Sequence, residues 1–536
     1  MKYINRLIFI VAAGAGLLTA CNKKAFQDIN IDPQAQNTID LNFLFTSAQL
    51  GAASGGSSGD NRYIDWRTNI GIASTAIQQM ASISGIPNTG DKYQDNTEAT
   101  SAPFDFIYSD QLKNIGAILK ETGPGGFAEG KNANLVQATR ILRAFLFHRL
   151  TDYYGSIPYT DALQASDKVF FPHYDKQKTV YLDLLKELDE ATAALGSPNP
   201  SDGFGAADLY YKGDISKWKR WGYSLMLRLA MRLSNVDAAT ANTYVQKAVA
   251  GGVFQSNDDN VIVPMATAPN MWVNQNGISR AYMPGDGGEG SFLSKTFIDM
   301  LKGPNAGSVA DDDPRLMIIS GGIGVWVKEG LFEVSKGNPL DQKGMPNGKD
   351  INMLKIIEGN PNLNVDQTYS KLNTLMLDRD EPYMLMNYGE VELTLAEAAQ
   401  RGIGGLTAAQ AKAHYDAGVK ASMQMYTIYD ASLTVSDAAV NTYLTTFPYT
   451  PANGLEMIGN QYWINHCLNW WEAWSNWRRT GYPVLTPTNY PGNVTNGTIP
   501  QKLKYPNTEV AANPNFADGA SAQDYTTKVW WAGGPE

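Results

Sequence analysis

Apolar side chains recur at helical spacing in five stretches. From Leu135 to Leu150, residues Leu135, Ala138, Leu142, Phe145 and Leu146 fall three or four apart, while Arg140, Arg143 and Arg149 take other faces. That pattern predicts an amphipathic helix. A second helix is expected after Tyr174-Asp175, carrying Tyr181, Leu184, Leu185, Leu188, Ala191 and Leu195. A third runs from Trp218 to Leu233 with Trp221, Leu225 and Leu229 aligned, and a fourth spans Tyr383 to Ala399. A fifth, Ala408 to Met423, puts Ala411, Tyr415, Val419 and Met423 on one stripe, with Gly402 and Gly404-Gly405 as the stop between it and the fourth. Between 250 and 380 the periodicity is lost. Gly, Pro and Asn are frequent there, with short β-like runs at Val261–Val263 and Gly324–Val327.

The expected fold is mostly α. It is a tetratricopeptide-like scaffold of helix pairs, mainly over 105–250 and 380–425, with a few short strands and long loop-rich excursions over 250–380 and 427–536. No strict 34-residue period is visible. Trp463, Trp470, Trp474 and Trp477 keep helical spacing inside the second excursion and read as core. Long loops on a rigid scaffold are where binding is expected.

The first residues change the picture. Lys2 and Arg6 precede an apolar run from Leu7 to Leu18, too short to span a bilayer, ending in Leu18-Thr19-Ala20-Cys21. Residues 1–20 read as a signal peptide and Cys21 as the lipid acceptor of a bacterial lipoprotein, anchored without crossing the membrane. Residues 21–45, with Asp32-Pro33, read as a tether, and 46–536 as a single body. Formal charge is −10, and removing 1–20 leaves −12. An acidic balance without basic clusters argues against a nucleic-acid partner. Lipidation of Cys21 leaves Cys467 alone, so no intramolecular disulfide forms in the mature chain.

Catalytic signatures are missing. The four histidines, His148, His173, His414 and His466, make no i+3 or i+4 pair, and no nucleophile elbow in a strand-to-helix context is present. Gly285–Gly290 lacks the Lys-Ser/Thr ending of a phosphate loop. Glu390, Glu392 and Glu397 on one predicted helix leave a carboxylate-pair glycoside hydrolase as an alternative. Asp311-Asp312-Asp313 offers oxygen ligands for calcium but lacks EF-hand spacing and reads as a solvated turn; no cofactor or metal is expected. The aromatic content, 12 Trp, 27 Tyr and 18 Phe, is the notable asset. Sugar rings present apolar C–H faces that stack on flat rings, while their hydroxyls need amide, carboxylate and guanidinium partners. Two loop regions have that mixture: Tyr63, Trp66, Tyr93, Gln94 and Asn96, and Asn270, Trp272, Asn274, Gln275, Arg280 and Tyr282. The candidate ligand residues are Tyr63, Trp66, Tyr93, Asn96, Trp272, Asn274, Arg280 and Tyr282.

Motifs through the length of the chain resemble the SusD/RagB-like outer-membrane lipoproteins, in their shorter-signature branch. They include Phe26–Pro33 behind the lipidated cysteine, Ile141–Phe145 leading to Leu150–Tyr159, and Lys217-Trp218-Lys219 with Leu227–Arg232. Asp313–Leu316, Glu390–Leu393 with Leu395–Ala398, Glu472–Trp474, Trp477–Pro483 and Tyr505-Pro506 follow in order. The resemblance implies a tetratricopeptide-like helical fold and a non-catalytic lid over a SusC-like TonB-dependent transporter. Oligosaccharide is the implied cargo, with peptide in RagB-type members as the alternative. It implies an outer-membrane location facing the cell exterior, although Asn22-Lys23-Lys24 replaces the acidic run often linked with surface display. It gives Glu390 and Arg478-Arg479 buried or cap-like pairing roles rather than ligand contacts, and leaves the ligand residues to variable loops.

Overall fold

The computed structural model describes residues 39–54, 64–268, 274–282, 290–305, 307–328 and 331–536, without the side chains of Ser166, Pro200 and Arg280. The chain enters through α1 (Leu41–Ser54), a wide π-helical stretch Asp65–Ser74, β1 (Met80–Ser82), α2 (Asn88–Lys92) and α3 (Thr97–Phe106). A second wide stretch, Ile107–Leu112, leads into α4 (Lys113–Thr122). The scaffold then runs α5 (Ala133–Tyr154), β2 (Ile157–Pro158), β3 (Tyr174–Asp175), α6 (Gln177–Ala194), α7 (Ile215–Arg232) and α8 (Ala238–Gly251). The middle excursion holds β4 (Val261–Val263), α9 (Gly277–Tyr282), β5 (Ser291–Leu293), α10 (Lys295–Leu301), β6 (Ser320–Lys328), β7 (Leu331–Lys336), β8 (Lys371–Leu372) and β9 (Tyr383–Met386). The last third carries α11 (Tyr388–Arg401), α12 (Ala408–Gln424), α13 (Asp437–Thr446), α14 (Gly454–Asn465), α15 (Trp470–Thr480) and α16 (Asn507–Ala512).

Helices pack with their neighbours in sequence: α5 on α6, α6 on α7, α7 on α8, α11 on α12 and α14 on α15, while α7 against α11 joins the two halves. Caps fix where these helices begin. The Asp214 carboxylate accepts the Ser216 and Lys217 amides at 2.9 and 3.2 Å, Asp237 accepts from Thr240 at 3.0 Å, and Asn387 accepts from Glu390 at 2.8 Å. Thr407 and Gln410 form a capping box on α12, and Gly402 ends α11 with φ +70°. Gly418 lets α12 approach α11, since a Cβ there would stand 2.8 Å from Leu393.

The five expected helices are present, with one end shifted: Tyr383–Met386 is strand β9, paired antiparallel with β4, and the Asn387 cap starts α11 only after it. Two further expectations differ from the structure. The tether was expected to reach 45, yet α1 begins at Leu41, because Leu41, Phe45 and Ala48 are buried and Phe45 packs on Phe204 and Trp218. The excursion over 427–536 was expected to be loop-rich, yet it contains α14 and α15. Trp463, Trp470 and Trp474 there are fully buried, as their stripe implied, and Trp477 is half-buried.

Short antiparallel pairs, β1–β5, β2–β3 and β4–β9, and a three-stranded sheet β7-β6-β8 pin the excursions to the helices. Buried ion pairs tie elements together: Arg228 grips Glu390 through two bonds of 2.5 and 2.7 Å and Arg232 reaches Glu472 at 2.7 Å across the halves, and within the last third Arg479 grips Glu397 with two bonds of 2.5 Å. Such bidentate pairs hold register between packed elements because either charge alone would be stranded in the core. Among the described residues no helix is long and apolar enough to cross a membrane.

Candidate functional site

The wide helix Asp65–Ser74 is the hub of the candidate site. It packs against α2, α3, α9 and α15, so the described parts of the two aromatic regions, far apart in sequence, come together. Segments 55–63, 269–273 and 283–289, which join directly to this helix and to α9, carry Tyr63 and Trp272. Both of those residues lie outside the described residues, as do Cys21 and the Arg280 side chain. Beside the hub, β1 pairs with β5 from Met80 opposite Leu293 to Ser82 opposite Ser291.

Three of the candidate rings are corrected by the structure. Trp66, Tyr93 and Tyr282 are buried, and belong to the hydrophobic core. Tyr282 meets Trp470 edge-on at 6.1 Å, and the Tyr93 hydroxyl accepts the Thr488 amide at 3.1 Å. Each ring gains more from removing its own surface from water than a solvent-facing site would allow. Asn96 is spent as the α3 cap, its Oδ1 accepting from Ala99 at 3.0 Å and its Nδ2 donating to Thr89 at 3.3 Å. Asn274 is half-buried and donates to the Ala268 carbonyl at 3.3 Å. Of the named rings, Trp66, Tyr93 and Tyr282 therefore do not offer a face to a ligand.

Two features of this region escaped the sequence reading. The first is a pair of buried polar atoms at and just before α9: Gln275 Nε2 and Ser279 Oγ find no hydrogen-bond partner among the described residues. Buried orphans of this kind are uncommon in structural elements and concentrate where function needs them. The second is the acidic loop Asp378–Glu381. It is tied to α9 by the Asn276 amide donating to the Arg379 carbonyl at 2.7 Å and by Arg379 donating to Gln275 at 2.6 Å. Burial, with Asp378, Asp380 and Asp430 nearby, pushes the Glu381 carboxyl up to about 7. The run Asp-Arg-Asp-Glu was visible in sequence, but only the tertiary contact with α9 gives it a place.

Within the hub, Asp65 is buried. One oxygen accepts from the Tyr383 hydroxyl at 2.7 Å and from Asn69 at 3.2 Å, and the other has no partner among the described residues. Burial outweighs those bonds and the Arg149 charge and pushes its carboxyl up to about 8, so it carries a proton at neutral pH.

The hydrolase alternative fails on its own carboxylates. Burial opposes ionisation of Glu390, yet Arg228 and His466 beside it hold its carboxyl down at about 2. Glu397 is likewise buried and held low by Arg479 and Arg401. Neither faces water or a cleft, so neither can protonate a leaving group or activate water. Asp313, expected in a solvated turn, is buried and grips Arg315 at 2.6 and 2.9 Å, while Asp312 and Asp311 accept backbone amides of Gly303 and Asn305. Among the described residues no group of three or more His, Cys, Asp or Glu side chains is placed to hold a metal.

The model of a family described as SusD-like, starch-binding and associating with the outer membrane matches residues 33–506. The chain belongs to the SusD-like family. A solved structure described as a chitin-binding protein is similar to this SusD-like chain at 31% identity and a TM-score of 0.75, over 92% of this chain and 99% of the other. A Bacteroidetes SusD-like structure matches at 24% identity and a TM-score of 0.75, over 92% of this chain and all of the other. A chitin-binding SusD homolog from Flavobacterium johnsoniae matches at 23% identity and 0.68, over 92% and 98%. No curated protein matches the sequence. As a SusD-like protein the chain has the tetratricopeptide-like helical fold that its helix pairs display, and Glu390 and Arg479 are buried pairing groups, as the resemblance implied.

Proposed function

We propose that this SusD-like chain is a non-catalytic surface lipoprotein, anchored through Cys21 to the outer membrane, that captures oligosaccharide and delivers it to a SusC-like TonB-dependent transporter. The observation that supports this reading is the meeting of the 65–74 helix, α9 and the acidic 378–381 loop, next in sequence to the segments that carry Tyr63 and Trp272. Carboxylates and amides there suit sugar hydroxyls, and the rings of Tyr63 and Trp272 suit sugar C–H faces. Delivery needs release, so a shallow, wet surface is better suited than a deep pocket. The chitin-binding relative at 31% identity makes N-acetylglucosamine oligomers the first ligand to try, with starch oligosaccharides second.

The test is calorimetric titration of residues 22–536 with both glycan sets and a peptide library, repeated with Trp272→Ala and Arg280→Ala. Saturable glycan binding that weakens in both variants is expected. Unchanged affinity in both variants removes this region as the site. Saturation by peptides alone replaces the cargo with the RagB-type one. For delivery, the full chain should co-purify with a large outer-membrane β-barrel, and Cys21→Ser should release it from the membrane.

A further inference from the structure

A roomy cleft has no lining residue in the 65–74 helix, α9 or the 378–381 loop. It has a volume of about 690 Å³ and lies between Asp105–Glu121, the loop following β2 and Glu509 of α16. This is within the range of small-molecule pockets. Its walls are largely apolar, with Pro158, Leu163 and Val169 facing Tyr108 and Ala117. Just beyond Val169, Phe170 and Phe171 stand 68% and 54% exposed. Adjacent exposed rings beside an apolar cleft mark a surface for contact with something else.

Carboxylates decide what that something is. The Asp105 side chain makes no hydrogen bond or ion pair within the described residues, and Glu509 accepts only from neutral donors, Tyr174 at 2.7 Å and Asn513 at 3.3 Å. The basic groups of the cleft do not neutralise them: Lys120 pairs with Asp167 at 3.4 Å, and Lys113 is within ion-pair distance of neither. Partial burial, with the Glu509 charge adding to it, pushes the Asp105 carboxyl up to about 6. A neutral sugar would leave that repulsion in place, and an anion would worsen it.

We propose that this cleft is a second ligand site and takes a primary ammonium carried on an apolar body, its methylenes against Leu163 and Val169 and its charge between Asp105 and Glu509. A lysine side chain of a peptide and a de-acetylated amino sugar share that chemistry. The lysine is the better match, because Pro158, Leu163, Val169 and Ala117 give its methylenes an aliphatic wall beside the rings of Phe104 and Tyr108.

The test titrates residues 22–536 with a capped Leu-Lys-Leu peptide, the same peptide with acetylated lysine, a glucosamine trimer and an N-acetylglucosamine trimer. The free-lysine peptide should saturate, and acetylation should weaken it roughly tenfold or more, the usual worth of a charge-assisted contact. Asp105→Asn should do the same, and Ala117→Trp, which fills the cleft, should abolish binding; in both, the thermal midpoint should stay near that of the parent and glycan binding at the first site should be unchanged. Binding of the glucosamine trimer with the same sensitivity to Asp105→Asn keeps the ammonium site and assigns it to amino sugar. Equal binding of free and acetylated peptides, or no binding of either amine by the folded parent, overturns the proposal. Loss of glycan binding in Trp272→Ala with peptide binding intact, or the reverse in Asp105→Asn, separates this site from the first.

Discussion

Replacing Asp65 by Asn should flatten much of the alkaline loss of stability in this protein. Asp65 is buried in the wide helix at the hub, with one oxygen bonded to Tyr383 and Asn69 and the other unpartnered among the described residues. Its carboxyl rises from the ordinary 3.8 to about 8 in the fold, chiefly through burial. The fold therefore favours the protonated acid. Stability from this group is fully present below pH 3.8 and is lost as the pH rises through 8, where the folded form must also give up the proton. Each pH unit between those values is worth about 1.4 kcal/mol, so the interval from pH 5 to pH 8 removes about 4 kcal/mol as an order of magnitude. Asparagine keeps the acceptor for Tyr383 and Asn69 and cannot ionise. Urea denaturation of residues 22–536 and of Asp65→Asn at pH 5, 6.5 and 8 measures the difference directly. The variant should gain on the parent by a few kcal/mol across that range. Parallel curves, with a difference that moves by less than about 1 kcal/mol, would refute the view that the Asp65 proton stays on in the fold.

Glu390→Gln tests the buried clamp: stranding Arg228 should lower stability by roughly 3–5 kcal/mol in urea, and bound glycan should remain intact in parent and variant alike. Because the Glu390 carboxyl is depressed to about 2 in the fold, its stabilisation is present above 4.5 and is lost as pH falls toward 2, so the parent's acid-unfolding curve should be steeper than the variant's there. Gly402→Ala isolates backbone strain, since φ is +70° and a Cβ would meet nothing within 4 Å. It should lower stability by roughly 1 kcal/mol, read from the denaturation midpoint, with no change in ligand binding.

Periodicity alone located the helices from Leu135 to Met423, because an amphipathic helix writes its buried face into every third or fourth residue and its caps into fixed residue types. The tryptophan stripe at 463–477 was legible for the same local reason, whereas the pairing roles of Glu390 and Arg479 were implied only by the family resemblance. The sequence did not show that α1 starts at Leu41 or that α3 and α4 exist. Their apolar positions are mixed with small and polar residues whose burial depends on packing against other elements, such as the 65–74 helix on α3 and α1 on α4. Nor did it separate Trp66, Tyr93 and Tyr282 from rings free to meet a ligand. An aromatic between amides looks the same in sequence whether it faces solvent or core, and only the packing of the 65–74 helix against α9 and α15 determines which. The same is true of Asp105 and Glu509, about four hundred residues apart. Their charges are ordinary in sequence, and it is tertiary structure that sets them in one apolar cleft without a cation between them.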